Sequence, residues 1–374
     1  MSGPGLLRET LTSRTPAALV LEETLLWLCS IPSPIGEEKA ICDAVAERLA
    51  RLSLAGPMRR YGDSLVVPVI RKWESGRPHV ALVGHLDTVR TENGPARIDG
   101  GRCYGAGAAD MKSGLAVMIV LAETIGELCG CDLTLVFYAR EEGPYAENEL
   151  GRVLEEDPEL GSVDLAVCLE PSDNCLHVGC CGAIHASVTF EGRTAHSARP
   201  WEGENAITKA APLLARLAEL QPIEREIDGY VYRTVTTVTL ANGGRGRNVV
   251  PDTFSLNVNH RFAPDTSLEQ AQVDLRAIIG EGPRVELTDL SPAALPSTSH
   301  PLVRQLVESG VRAVEPKQAW TDVARFAARG VPAVNFGPGE NAQAHQKNES
   351  TELALVYQGY RILLTWLTQL KTEG

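Results

Sequence analysis

Residues 79–88 read His-Val-Ala-Leu-Val-Gly-His-Leu-Asp-Thr, an unbroken apolar run of strand length that stops at a His-x-Asp. Continuous rather than alternating hydrophobicity suits a strand covered on both faces, as in a sheet flanked by helices. The pattern recurs three times. Residues 133–139 run into Arg140-Glu141-Glu142-Gly143, residues 164–169 into Glu170-Pro171, and residues 331–336 through Gly337-Pro338-Gly339 toward His345. Helices are predicted over 112–128, 302–315 and 322–329. Another follows Pro32-Ser33-Pro34-Ile35-Gly36, where Ile41, Val45, Leu49 and Leu52 recur at spacings of four, four and three. This alternation of strand and helix predicts an α/β domain.

The middle of the chain reads differently. Residues 183–190, 234–241 and 254–262 alternate like half-exposed strands, and helices are predicted over 205–220 and 267–279. With a last strand over 285–287, the order strand, helix, strand, strand, helix, strand is that of a small open-faced α+β sandwich. Gly179–Gly182 opens the block and the proline-rich stretch 292–301 closes it. The expected organisation is therefore a discontinuous catalytic domain, 1–178 and 291–374, interrupted by an inserted domain over 179–290. A length of 374 residues agrees with about two domains.

Composition narrows the function. A formal charge of −13 argues against nucleic acid or an anionic membrane as partner, since phosphate binding needs a cationic face. The longest apolar run, Leu115 to Ala122, falls far short of the ~20 residues of a membrane span. No basic segment followed by an apolar core opens the chain, and Glu22 and Glu23 interrupt the nearest candidate leader. The nine cysteines include no CxxC pair and read as reduced thiols packed as small hydrophobes in a cytoplasmic protein.

Open α/β sheets bind ligands outside the carboxyl ends of their strands. The four strand ends should therefore converge, although His85 and His345 lie 260 positions apart. Histidines and carboxylates without cysteine suit zinc or a similar divalent ion. A lone histidine after a strand is ordinarily structural, and Glu141-Glu142 alone would be a solvated turn; it is the joint pattern that points to a site. The stretch Gly105-Ala106-Gly107-Ala108-Ala109-Asp110 fails as a dinucleotide loop, because Asp110 stands where the third glycine belongs. It reads instead as a tight turn that thrusts Asp110 toward the site at the start of a helix.

These residues resemble the co-catalytic zinc hydrolases that include acetylornithine deacetylases, succinyl-diaminopimelate desuccinylases, glutamate carboxypeptidases and aminoacylases. The matching motifs are Gly84-His85-Leu86-Asp87-Thr88-Val89, the 105–114 loop, Glu141-Glu142-Gly143, Glu170-Pro171 and the late His345. The resemblance implies a zinc-exopeptidase-like α/β/α catalytic domain with an inserted ferredoxin-like lid, often used to form a homodimer. It further implies two Zn2+, with Co2+ or Mn2+ as alternatives at one site. His85 and Glu170 would hold one ion, Glu142 and His345 the other, and Asp110 would bridge them. Asp87 would orient His85, and Glu141 would be the general base acting on a metal-activated water. The peptide after Asp110 is often cis in such proteins.

His196 resembles the residue that a partner subunit supplies to stabilise the oxyanion. Asn248, Arg261, Arg325 and the amides of Gly337 and Gly339 are candidates to bind substrate carboxylates. The stretches 179–182, 193–200, 248–251 and 320–326 look most like a branch of the desuccinylases, which implies removal of the succinyl group from N-succinyl-LL-2,6-diaminopimelate in lysine and diaminopimelate synthesis. Cys180-Cys181 stands where better known desuccinylases carry a substrate-binding arginine, which weakens the succinyl reading but leaves the hydrolase chemistry. Deacetylation of N-acetylornithine, or hydrolysis of other N-acyl amino acids or dipeptides, is the second reading. A metal- or peptide-binding scaffold without catalysis is the third, and the presence of Glu141 beside five candidate ligands argues against it.

Overall fold

The computed structural model describes residues 15–72 and 76–370, so the ends of the expected catalytic domain, 1–14 and 371–374, lie outside the described residues. The chain separates into two compact units: Met1–Val178 with Ser297–Glu315 and Arg325–Gly374, and Gly179–Pro296 with Pro316–Ala324. The second unit thus takes six residues past 290 and also recruits a later segment, 316–324. There Cys181 N–H donates to the Lys317 carbonyl (3.3 Å) and Trp320 Nε1 to the Pro292 carbonyl (3.0 Å).

In chain order the first unit contributes strands β1 (Arg59–Tyr61), β2 (Ser64–Ile70), β3 (His79–His85), β4 (Arg97–Asp99), β5 (Arg102–Tyr104), β6 (Asp132–Tyr138), β7 (Leu165–Cys168) and β8 (Leu176–Val178). The second contributes β9 (Gly182–Glu191), β10 (Ile223–Ile227), β11 (Tyr230–Gly243), β12 (Thr253–Phe262) and β13 (Arg284–Ser291). Three short strands follow, β14 (Val314–Pro316), β15 (Ala333–Asn335) and β16 (Ser350–Glu352).

The main sheet has the order β1-β2-β6-β3-β7-β15-β8-β14. Its centre, β6-β3-β7-β15, is parallel, while β2 and β8 pair antiparallel on either side. Four neighbouring parallel strands end at the same edge, roughly 5 Å apart. Those four are the ones whose termini carry Glu141-Glu142, His85, Glu170 and Gly337, so sheet order alone gathers distant stretches of chain. Every residue of β3 and β6 is buried. The helix Lys112–Thr124 covers them and is buried from Lys112 through Leu121, which explains why its apolar run shows no polar face.

Several elements differ from the sequence expectation. The helix predicted over 302–315 is Pro301–Glu308; Gly310, at φ 108°, breaks it, and Val314–Pro316 is extended. The 112–128 helix stops at Thr124 and closes with a 3-10 turn over Gly126–Leu128, the 205–220 helix splits at Ala210, and the 322–329 helix shortens to Val323–Ala327. In the second unit the sheet order is β10-β11-β12-β9-β13, antiparallel throughout. Without the edge strand β10 this is the ferredoxin-like order, and Ile184, Ala186, Val188, Leu213, Leu256, Val258 and Leu275 form its core.

Candidate metal centre

His85 closes β3. A Cβ on the preceding Gly84 would meet the side-chain ends of Leu115 and Met111 at 2.6 and 2.7 Å, so these side chains fill the space beside the strand end that a larger residue would take. The fully buried imidazole donates from Nδ1 to the Asp87 carbonyl (3.0 Å), which leaves the Nε2 lone pair facing Asp110 Oδ1 at 3.2 Å. An imidazole lone pair opposite a carboxylate oxygen needs a proton or a cation between them. The other oxygen of Asp110, Oδ2, lies 3.6 Å from His345 Nε2, which in turn lies 2.9 Å from Glu142 Oε2. Ligand atoms of His85, Asp110 and Glu142 all fall within 4.8 Å of one another. Glu170, just past β7, is buried, and its charge reaches His85.

Electrostatics point the same way. Burial pulls the His85 imidazole down, yet the Asp110 and Asp87 carboxylates outweigh it and hold the group well above its ordinary value. The hydrogen bond to Glu142, aided by the charge of Asp110, pushes His345 up to about 9 against opposing desolvation. Asp110, Asp87 and Glu170 raise His85, Glu142 and Asp110 raise His345, and divalent cations would neutralise the same excess of carboxylate. Imidazole nitrogen and carboxylate oxygen without thiolate form a donor set that fits zinc and its neighbours.

Asp87 does more than orient His85. Its two carboxylate oxygens accept the N–H groups of Glu141 (3.0 Å) and Glu142 (2.9 Å). Arg140 adopts left-handed backbone at the strand exit (φ 64°), and the two amides that follow converge on this one carboxylate. Burial would raise Asp87, but His85 and these amides lower it overall and keep it ionised. Asp87 therefore ties His85 to the loop carrying Glu142 and Glu141. The peptide between Asp110 and Met111 is cis.

The expected substrate-binding residues divide. Gly337 N–H, expected as a donor to substrate, donates to Ser172 Oγ (3.0 Å) instead. A Cβ on Gly337 would meet the Leu169 and Glu170 carbonyl oxygens at 2.3 Å, and one on Gly339 the Ala109 carbonyl oxygen at 2.1 Å. These glycines serve close packing of the ligand loops. Arg325 stacks on the Tyr145 ring (3.7 Å) and donates to the Tyr145 carbonyl, so its guanidinium holds the segment after Glu142. Asn248, Arg261 and His196 belong to the second unit. Arg261 Nε donates to Asn259 Oδ1 (3.1 Å), and burial draws its guanidinium below the ordinary value. His196 is exposed, and its Nδ1 accepts Ala198 N–H (3.1 Å).

Two buried acids beside the proposed site escaped the sequence reading. Glu38 accepts Gly36 N–H (2.7 Å), and Glu349 binds the Asp110 loop. Acidic residues in polar loops look solvated in a sequence, and no local signal distinguishes these two.

The family model described as peptidase family M20/M25/M40 matches residues 81–369. A putative succinyl-diaminopimelate desuccinylase of Mycobacterium tuberculosis is 39% identical over 342 residues, covering 91% of this chain and 96% of that protein. The succinyl-diaminopimelate desuccinylase of Corynebacterium glutamicum is 36% identical over 351 residues, covering 91% and 94%. Among solved structures, an M20 family metallo-carboxypeptidase of Sulfolobus solfataricus superposes with a TM-score of 0.76 at 14% identity, covering 93% of this chain and 98% of that one. A dinuclear metal binding peptidase of the same family from Bacillus subtilis gives 0.67 at 14% identity, covering 94% and 98%.

Proposed function

Because the chain belongs to peptidase family M20/M25/M40, we propose that it is a two-cation amide hydrolase that removes the succinyl group from N-succinyl-LL-2,6-diaminopimelate, in diaminopimelate and lysine synthesis. One observation carries the two-cation reading: the opposite oxygens of Asp110 face two different imidazoles, His85 at 3.2 Å and His345 at 3.6 Å. The substrate assignment rests on the desuccinylase relatives, 36–39% identical over nine-tenths of the chain.

His85 and Glu170 would hold one ion, Glu142 and His345 the second, with Asp110 between them; zinc is the proposed metal, with cobalt or manganese as alternatives at one position. When bound, such ions lower the pKa of water toward neutrality and polarise the scissile carbonyl. Glu141 takes the proton of the attacking water and returns it to the leaving amine, so that the C–N bond breaks and succinate and a free amine depart. Its main chain is anchored on Asp87, one residue from a ligand, which suits a base beside the ions and not committed to them. Because His196 Nδ1 accepts a hydrogen bond, the neutral ring carries its proton on Nε2, the tautomer able to donate to a developing oxyanion. Asn248, Arg261 and the Gly339 amide remain the candidates for substrate carboxylates. We further propose that the inserted unit closes over substrate and forms a homodimer, and that the protein works in the cytoplasm, where its nine cysteines stay reduced. No helix among the described residues is long and apolar enough to cross a membrane.

The test compares initial rates of zinc-reloaded protein on N-succinyl-diaminopimelate, N-acetylornithine and simple dipeptides. Preference for the succinyl substrate is expected, with a loss of about 100-fold or more in Glu141→Gln while bound metal is retained. A preference for N-acetylornithine would overturn the substrate assignment, and an active Glu141→Gln would overturn the base.

A further inference from the structure

We propose that Glu349 is the positioning residue of the bridging ligand: its carboxylate gathers the main chain of the 105–110 loop and so sets where Asp110 stands. This rests on the two-cation reading above. Glu349 is 2% exposed. Its Oε1 accepts the N–H groups of Ala109 and Asp110 (both 2.8 Å), and its Oε2 accepts Gly107 N–H (2.9 Å). Its own carbonyl accepts Gly105 N–H (3.1 Å), and its N–H donates to Asn93 Oδ1 (2.8 Å). The loop is glycine-rich and belongs to no helix or strand, so these bonds from a residue some 240 positions away supply the fixity that regular structure does not.

The chemistry calls for a carboxylate at this position. Three N–H donors converge on one side chain, and a carboxylate offers two acceptor oxygens and no donor. Glutamine has the same shape, but its NH2 would confront a main-chain N–H, leaving a buried donor unsatisfied. The amide of Asp110 itself is one of the three, so a shift of the 349 side chain passes directly to the bridging residue. Glu349 also lies four residues beyond His345. One short segment therefore brings in a ligand with its first residue and supports the bridging ligand with its last, which couples the two sides of the centre. Residues that hold metal ligands in place typically change metal affinity about 10- to 100-fold when altered.

The experiment uses full-length protein stripped of metal, as wild type, Glu349→Gln and Glu349→Asp. Zinc affinity is measured by calorimetric titration, and the visible absorption spectrum is recorded at saturating cobalt. Glu349→Gln is expected to bind zinc about 10- to 100-fold more weakly and to show an altered cobalt spectrum. Glu349→Asp, which keeps the acceptors on a shorter arm, should fall between. A purely structural clasp would lower the thermal midpoint of metal-free protein yet leave the cobalt spectrum unchanged, so wild-type zinc affinity with an unchanged spectrum in Glu349→Gln overturns the proposal. If Glu349→Gln does not fold, wild-type affinity and spectrum in Glu349→Asp overturn it equally. Failure of the wild type itself to take up zinc or cobalt marks failure of the two-cation reading, a result distinct from either variant outcome.

Discussion

At the scale of single residues, the site is built from side chains that serve two partners at once. Asp110 faces two imidazoles, and Asp87 holds both His85 and the amides of Glu141 and Glu142. Replacing Asp87 with asparagine keeps its shape but turns an NH2 toward a main-chain N–H. Glu141 and Glu142 should then lose register with His85. Asp87→Asn is expected to fold and to lose about 10- to 100-fold in kcat/KM, read from initial rates beside circular dichroism of the purified variant. The His-x-Asp motif was legible as a proposed ligand with an acid beside it, but it did not show that the Asp87 carbonyl would take the Nδ1 proton at 3.0 Å while its carboxylate stands at 3.5 Å. The two amide bonds were not, because they depend on how Arg140 turns the chain at the end of a different strand.

At the scale of elements, the ligand loops pack through glycines. The Gly337–Gly339 turn lies against the carbonyls of Leu169, Glu170 and Ala109, each within a residue or two of a proposed ligand. Gly339→Ala would drive a methyl group into the Ala109 carbonyl, so that the turn or the Asp110 loop must move. A stability loss of about 1–3 kcal/mol is expected in urea unfolding, together with weaker zinc binding; unchanged affinity would show that the Asp110 loop does not feel this turn. In the sheet, β3 begins with His79, whose burial lowers its pKa, while its Nε2 stays bonded to Thr134 Oγ1 (2.9 Å). In the second unit, burial lowers His260 likewise. For such groups the unfolded chain binds a proton first as pH falls below about 6.5, so stability is full above that value and declines below it until the folded form also protonates. His345, raised to about 9, and Glu349, raised by burial to about 7, act in the opposite sense over the same range, so the test is a difference: between pH 7.5 and 5.5 the urea midpoint of His79→Gln should fall less, or rise more, than that of wild type. An equal change in the variant would remove His79 as a contributor.

Two elements show where local reading stopped short. The helix Pro16–Ser30 carries a Thr15 cap, a proline at its first turn and Leu21, Leu25 and Leu28 on its buried side, so its signal was present but unused. Strand β2 contains Pro68, which argues against an interior strand. The sheet accommodates it at a shift of register against β6 between Pro68 and Ile70.

At the scale of the whole molecule, every proposed metal ligand belongs to the first unit. Metal binds the folded form of that unit and not its dispersed ligands, so free zinc at a thousand times Kd should stabilise it by about 4 kcal/mol. Calorimetry is expected to show the unfolding of the first unit move upward with zinc and return on chelation. A transition indifferent to zinc would argue against a bound ion there.

By itself the sequence determined the α/β class and the strand-and-helix order of the middle block, and its resemblance to the co-catalytic zinc hydrolases supplied the proposed ligands. Strand hydrophobicity, period and terminal chemistry are local properties, and they survive without knowledge of the fold. What only the tertiary structure decided was which polar groups became neighbours. Gly337 N–H turned to Ser172, Arg325 to Tyr145, and Glu349 to the Asp110 loop. Hydrogen bonds at about 3 Å depend on the close approach of strands and loops that lie a hundred or more residues apart, and that approach is a property of the packed chain rather than of any segment in it.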